Sequence, residues 1–296
     1  MNVHKHLRRF AIAAFLGAMI VSIAQAAETL APMDMQRTPG NIRFGVIGGQ
    51  QGVAAPTLLV VAMSMEEMQR EPVFTDVARL LAKKRWMSVV IEPPCHGEDR
   101  QPDEPEGLAG WRYRLEHGGD VVQAFQAKAR AVLAHVIAQG RADPARLAIC
   151  GTSRGGFLAF HFAAVEPRIK AVAAISPLTD LLALREFSGA APDSAAAKLA
   201  LTHIAPQLIG RPVWLSIGNN DQRVDTDRAI AFTRAIVHAS ARQSKQPDAT
   251  IPVELIVAPS AGHRKIDQAH EMLAAWLATQ LPAASPPHGT SATPKP

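Results

Sequence analysis

Seven short apolar runs recur along this chain, most of them separated by stretches of helical periodicity, and that alternation limits the folds open to it. The runs are NIRFGVIG (41–48), TLLVVAMS (57–64), WMSVVIEPP (86–94), RLAICG (146–151), IKAVAAIS (169–176), RPVWLSIG (211–218) and PVELIVAP (252–259). Several are apolar almost throughout, as strands of a parallel sheet must be when both faces are covered. Helical patterns lie between or after them at 74–85, 120–140, 227–243 and 264–281. Strand and helix in such repetition predict an α/β fold, a mostly parallel sheet flanked by helices on both faces. Chemistry on such a sheet gathers just beyond the carboxyl ends of the strands.

The ends of the chain read differently. MNVHKHLRRF carries Lys5, Arg8 and Arg9 without an acid, an apolar stretch runs from Ala11 to Ile23, and Ala24-Gln25-Ala26 follows. A basic start, a short apolar segment and a small-x-small site are those of a secretory signal peptide, expected to be cleaved after Ala26. The alternative, an uncleaved anchor, lacks a charged stop-transfer flank. Residues 27–281 are expected to form one large α/β domain, and 282–296, rich in Pro, Ser and Thr, a disordered tail. The chain's net charge of +5 falls to +2 without residues 1–26, so its basicity implies no nucleic-acid partner. Lys83-Lys84-Arg85, the one basic cluster, reads as a helix C-terminus. An exported protein with this pattern is expected to be periplasmic or secreted, without stable membrane insertion after cleavage.

Two cysteines make no disulfide scaffold. Cys95 and Cys150 follow strands that a third strand should separate, placing them about 10 Å apart and beyond bridging distance. Both are expected to be free, buried thiols. The sequence contains no His/Cys cluster with metal-ligand spacing, and no metal is expected.

AICGTSRGGF (148–157) sets Ser153 between Gly151 and Gly155, directly after a strand and before a helix that Pro167 stops. A serine on so sharp a turn needs glycines beside it, because side chains there would strike the strand or the helix. A serine that merely caps a helix needs none. The hydroxyl also needs a base to take its proton. VELIVAPSAGHRK places His263 in the loop after the last strand, and WLSIGNNDQRV places Asp221 just past the preceding one. Asp225 and Asp227 also follow that strand. Asp221 is favoured because it falls in the first turn, whereas Asp227 begins the next helix.

On these segments the chain resembles the α/β-hydrolases, in particular the dienelactone-hydrolase and prolyl-oligopeptidase-like branch. GTSRGG corresponds to the nucleophile elbow, IGNNDQRV to the acid turn and AGHRK to the histidine loop, in the chain order Ser, Asp, His. EPPCHGED resembles the family's D-x-P-x-H-G segment, with Glu92 where Asp is commoner. The resemblance covers roughly 40–281. It implies a serine hydrolase that works through an acyl-enzyme without a cofactor: Ser153 attacks, His263 moves the proton, and Asp221 orients His263. The Arg154 backbone N–H would be the first oxyanion donor. The family often has His-Gly after the third strand; here Met63-Ser64 stands in its place, and Met65 is the expected second donor, with Ser64 as the alternative.

Two segments are expected to select the substrate. The polar stretch 96–119 carries Trp111 and Tyr113. Residues 177–211 are expected to form a small helical cap in which Leu178, Leu181, Leu182 and Phe187 either line a pocket or seal the cap to the domain. His96 reads as a structural loop residue, His161 as a packing residue, and His135 and His238 fall in helical patterns. The reading is an exported carboxylic-ester hydrolase acting on a small-molecule ester. The alternatives are a single-domain serine peptidase of prolyl-oligopeptidase-like type and a non-catalytic ligand-binding member of the fold. With a short lead before the first strand and a short tail, no gating propeller is expected.

Overall fold

A computed structural model of the chain describes residues 31–282 apart from 245 and 247. The expected signal peptide (1–26) and nearly all of the expected tail lie outside the described residues. Eight strands form one sheet: β1 (Asp34–Arg37), β2 (Arg43–Gly48), β3 (Ala55–Val61), β4 (Met87–Ile91), β5 (Ala142–Thr152), β6 (Ile169–Ile175), β7 (Val213–Gly218) and β8 (Val253–Ala258). Their order is β1-β2-β4-β3-β5-β6-β7-β8. Strands β3 to β8 are parallel, and β2 joins β4, and β1 joins β2, antiparallel. This is the α/β-hydrolase architecture that the sequence predicts.

The helices are α1 (Met65–Arg70), α2 (Asp76–Ala82), α3 (Gly107–Glu116), α4 (Val121–Ala138), α5 (Arg154–Val165), α6 (Ala195–Lys198), α7 (Thr226–Gln243) and α8 (Ala269–Gln280). Every residue of β3 and β4 is buried, which accounts for their unbroken apolar runs. Successive side chains alternate between two cores. Leu58 and Val60 pack with α1, α2 and α8, whereas Leu59 and Val61 pack with α3, α4, α5 and α7. From β3 the chain crosses to β4 on one side and later to β5 on the other. The strand order therefore reverses between β3 and β5, the place where open α/β sheets leave a crevice.

Several elements differ from the sequence reading, α1 and α3 among them, which lie in stretches with no expected helix. β1 precedes the expected first strand; DMQR is short, polar and on the sheet edge, so it has no apolar pattern. α8 starts at Ala269 rather than near Arg264, because Arg264 and Lys265 remain in the loop that carries His263. Residues 177–211 form short 3-10 turns at Leu181–Ala183, Arg185–Phe187 and Leu201–Leu208 around the four-residue α6. They pack against α5 and α7 as part of one helical layer. Cys95 and Cys150 are buried and free, and burial pushes both thiols up to about 12, leaving them unreactive. Among the described residues no helix is long and apolar enough to cross a membrane.

Candidate active site

Strand β5 ends in a turn at Ser153, which has φ 53° and ψ −116°, a conformation that side-chain-bearing residues rarely adopt. Such strain costs about 1–3 kcal/mol and persists only where the surroundings enforce it. Here they do. A Cβ on Gly151 would overlap the backbone of Gly155, and a Cβ on Gly155 would overlap the Val61 carbonyl. The Ser153 N–H donates to Ile175 O at 3.0 Å, and its carbonyl accepts from Leu178 N–H at 3.0 Å. The turn is thus pinned to the end of β6.

The histidine loop and the acid turn meet this serine. His263 Nε2 lies 2.9 Å from Ser153 Oγ, and its Nδ1 lies 2.7 Å from Asp221 Oδ2. A carboxylate only accepts, so Nδ1 carries the proton and Nε2 is left bare to receive one from the hydroxyl. The Asp221 side chain is fully enclosed, and its Oδ1 accepts from the N–H groups of Arg223 at 3.0 Å and Val224 at 3.3 Å. Asp225 instead caps α7, accepting from the N–H groups of Asp227 and Arg228. Asp227 is exposed in the first turn of that helix. The histidine loop is itself fastened, because the hydroxyls of Ser176 and Ser260 donate to the Arg264 carbonyl at 3.1 and 3.0 Å. In this arrangement the imidazole can take the hydroxyl proton while Ser153 Oγ bonds to a carbonyl carbon.

Backbone donors stand beside the hydroxyl. Arg154 is the first residue of α5, so its N–H has no acceptor within the helix and sits at the positive end of the helix dipole. The loop after β3 departs from expectation. The Met65 N–H donates to Glu92 Oε2 at 3.3 Å, and the Ser64 N–H donates to Glu67 Oε2 at 3.2 Å within a capping box. Neither expected second donor is free. Met63 lines the cavity with Ser153, and its N–H has no acceptor among the described residues. Glu92 is buried and also pairs with Arg43 Nη2 at 3.0 Å; burial raises its carboxyl above the usual range.

His96 has a specific partner that its sequence context did not reveal. Its Nδ1–H donates to Pro94 O at 2.8 Å, so Nε2 accepts from Arg154 Nη1 at 2.7 Å. Burial, and then the charge of Arg154, lower the imidazole to about 4 and keep it neutral. Burial likewise lowers the Arg154 guanidinium. His161 is another neutral buried imidazole, held near 4 by burial, with Nε2–H donating to Leu199 O at 2.9 Å.

A cavity of about 600 Å³ opens at Ser153 and His263, lined also by Met63, Val73, Phe74, Ile175, Arg264 and Lys265 among others. The residues expected to select the substrate do not line it. Trp111 is wholly buried on α3, where its indole N–H donates to Pro94 O at 2.8 Å and its ring meets Phe157. Leu178, Leu181 and Phe187 are core residues. Tyr113 stacks on His117 at the surface. The helical spacing of Leu108, Trp111 and Leu115 within 96–119 is the signal that marks a packed helix there. The 3-10 turn at Pro72–Phe74, which supplies Val73 and Phe74 to the cavity, carries no comparable signal.

A sequence profile of the prolyl oligopeptidase family matches residues 110–283. No curated protein matches the chain. Among solved structures, the chain is similar to Porphyromonas gingivalis dipeptidyl peptidase 4, at 16% identity and TM-score 0.60, covering 84% of this chain and 35% of that one. It is similar to a puromycin-hydrolyzing peptidase of Mycobacterium tuberculosis at 19% identity and TM-score 0.64, covering 86% and 40%. A cold-adapted esterase from an Arctic intertidal metagenomic library matches at 18% identity and TM-score 0.59, covering 84% and 93%. At these identities the likenesses show the fold alone. The chain spans about a third of the dipeptidyl peptidase and nearly all of the esterase.

Proposed function

The chain belongs to the prolyl oligopeptidase family of serine hydrolases, and from that premise we propose that it is an exported enzyme that cleaves carboxylic esters through an acyl-enzyme. The carrying observation is the continuous contact from Asp221 through His263 to Ser153, beside the unpaired Arg154 N–H. Ser153 Oγ bonds to the ester carbonyl carbon as its proton passes to His263 Nε2. The N–H groups of Arg154 and Met63 receive the charge on the carbonyl oxygen. Collapse breaks the bond to the alcohol oxygen, which takes the proton from His263. Water then attacks the acyl carbon, gives its proton to the same nitrogen, and the acid leaves as Ser153 recovers its hydrogen. Asp221 holds the tautomer and stabilises the imidazolium.

Met63, Val73, Phe74 and Ile175 give the cavity an apolar side suited to a short acyl or alcohol group. Esters also have better leaving groups than amides. The family's name favours a second reading, a serine peptidase. Export rests on the basic start, apolar stretch and small-x-small site of residues 1–26. Comparing kcat/KM for acetyl or butyryl esters with aminoacyl and prolyl amides tests the choice. The ester reading expects ester turnover well above amide turnover, and equal or faster amide cleavage makes the peptidase reading primary.

A further inference from the structure

The residues lining the cavity at Ser153 include three of fixed positive charge, Arg154, Arg264 and Lys265, against one acid, Glu71. Glu71 is itself 3.4 Å from Arg70. None of the three cations has a carboxylate within ion-pair distance among the described residues, although most other arginines near the site do. Arg223, for example, pairs with both oxygens of Glu186, and Arg114 pairs with Asp99 and Glu104.

Arg154 is the informative one. Arg154 is half-buried, and a partly desolvated cation with no carboxylate in direct contact is a costly arrangement. Its one hydrogen-bond partner, His96, is neutral and cannot balance it. Nε is enclosed without an acceptor. Nη2 has no acceptor either, yet is not among the enclosed atoms, so it is the part of the fork that remains accessible. His96 holds Nη1, and the lack of a side chain at Gly107 leaves room for it, since a Cβ added there would lie 3.2 Å away. The residue after the nucleophile thus carries a cation with no carboxylate in direct contact, Glu67 and Glu186 acting on it only at longer range.

We infer that this cavity selects substrates bearing a carboxylate a few bonds from the scissile carbonyl, received by the Arg154 guanidinium with Arg264 and Lys265 adding attraction at the mouth. A planar guanidinium matches a carboxylate in geometry and is more weakly hydrated than an ammonium, so it suits a desolvated anion site. The turnover half of the test rests on the ester-hydrolase reading, whereas the binding half does not.

For binding, Ser153→Ala protein is titrated calorimetrically with ethyl hydrogen succinate and with its neutral isostere, ethyl succinamate. The acid ester should bind at least roughly tenfold more tightly, the advantage shrinking as salt is raised. Equal affinity, or no binding of the acid ester, overturns the inference. For turnover, kcat/KM of the unaltered enzyme should favour the acid ester by a similar factor, and Arg154→Met should bring the ratio to near one. An equal loss on both esters in Arg154→Met would mean that the side chain acts on the reacting oxygen instead, and would overturn it too. Preferential binding of the acid ester without turnover of either ester would sink the ester-hydrolase reading and leave this one standing.

Discussion

The backbone N–H of Met65 donates to the buried carboxylate of Glu92 at 3.3 Å, and this contact ties the loop after β3 to the end of β4. While it makes this contact, Glu92 keeps the Met65 amide from receiving an oxyanion. The same carboxylate holds Arg43. Glu92→Ala should therefore leave Arg43 without its buried partner and release the Met63–Met65 loop. Because Arg43 keeps Glu66 and Glu98, the expected cost is about 1–2 kcal/mol of stability, with a clear drop in ester turnover. Glu92→Gln, which keeps an acceptor, should retain most of the turnover. Urea unfolding and ester kinetics on the two variants check this, and unchanged turnover in Glu92→Ala would mean that Glu92 does not position the loop.

Asp221 and Asp225 should part company on mutation. Asp221→Asn would leave the wrong imidazole tautomer and cut turnover by about 10⁴ with the fold intact. Asp225 faces α7 rather than His263, and asparagine caps a helix as well as aspartate does. Asp225→Asn should thus turn over ester at close to the normal rate. The reverse pattern would move the acid's role to Asp225.

Two buried histidines make stability depend on pH. His96 and His161 are held near 4 in the fold, below the ordinary 6.5, so the unfolded chain binds more protons between those values. Stability should be full above pH 6.5 and fall as pH drops towards 4, by roughly 3 kcal/mol for each histidine. His161→Gln keeps a donor for the Leu199 carbonyl without the titration. Urea midpoints at pH 7 and 4.5 should therefore diverge less in this variant than in the unaltered protein. An identical pH dependence would show that His161 is not the titrating group.

How much of this was legible without coordinates depended on whether a residue's role is written locally. The parallel strands were, because burial on both faces demands continuous apolar runs. The elbow was, because Gly151 and Gly155 are required by close backbone approach. Asp221 and His263 could be found by their positions just after β7 and β8. β1 was not, since a polar edge strand has no pattern to read. The polar context of Trp111 points to a pocket, yet its indole is buried on α3, where the spacing from Leu108 implies a packed face. The Met65 amide was offered to an oxyanion because no local feature shows that Glu92, distant in sequence, reaches it. The Arg154–His96 contact is hidden for the same reason, as it joins the first turn of α5 to the loop after β4.

The central claim, that Ser153 is the nucleophile of a His263-activated hydrolase, is tested most directly by covalent labelling. The unaltered protein is treated with a fluorophosphonate probe and the adduct located by peptide mass spectrometry, alongside ester kinetics for Ser153→Ala. The account predicts one adduct, on Ser153, and a folded Ser153→Ala protein that takes no label and turns over no ester above the rate of an unactivated site. Ester hydrolysis by Ser153→Ala at the unaltered rate, or labelling at another residue with Ser153 untouched, would contradict it.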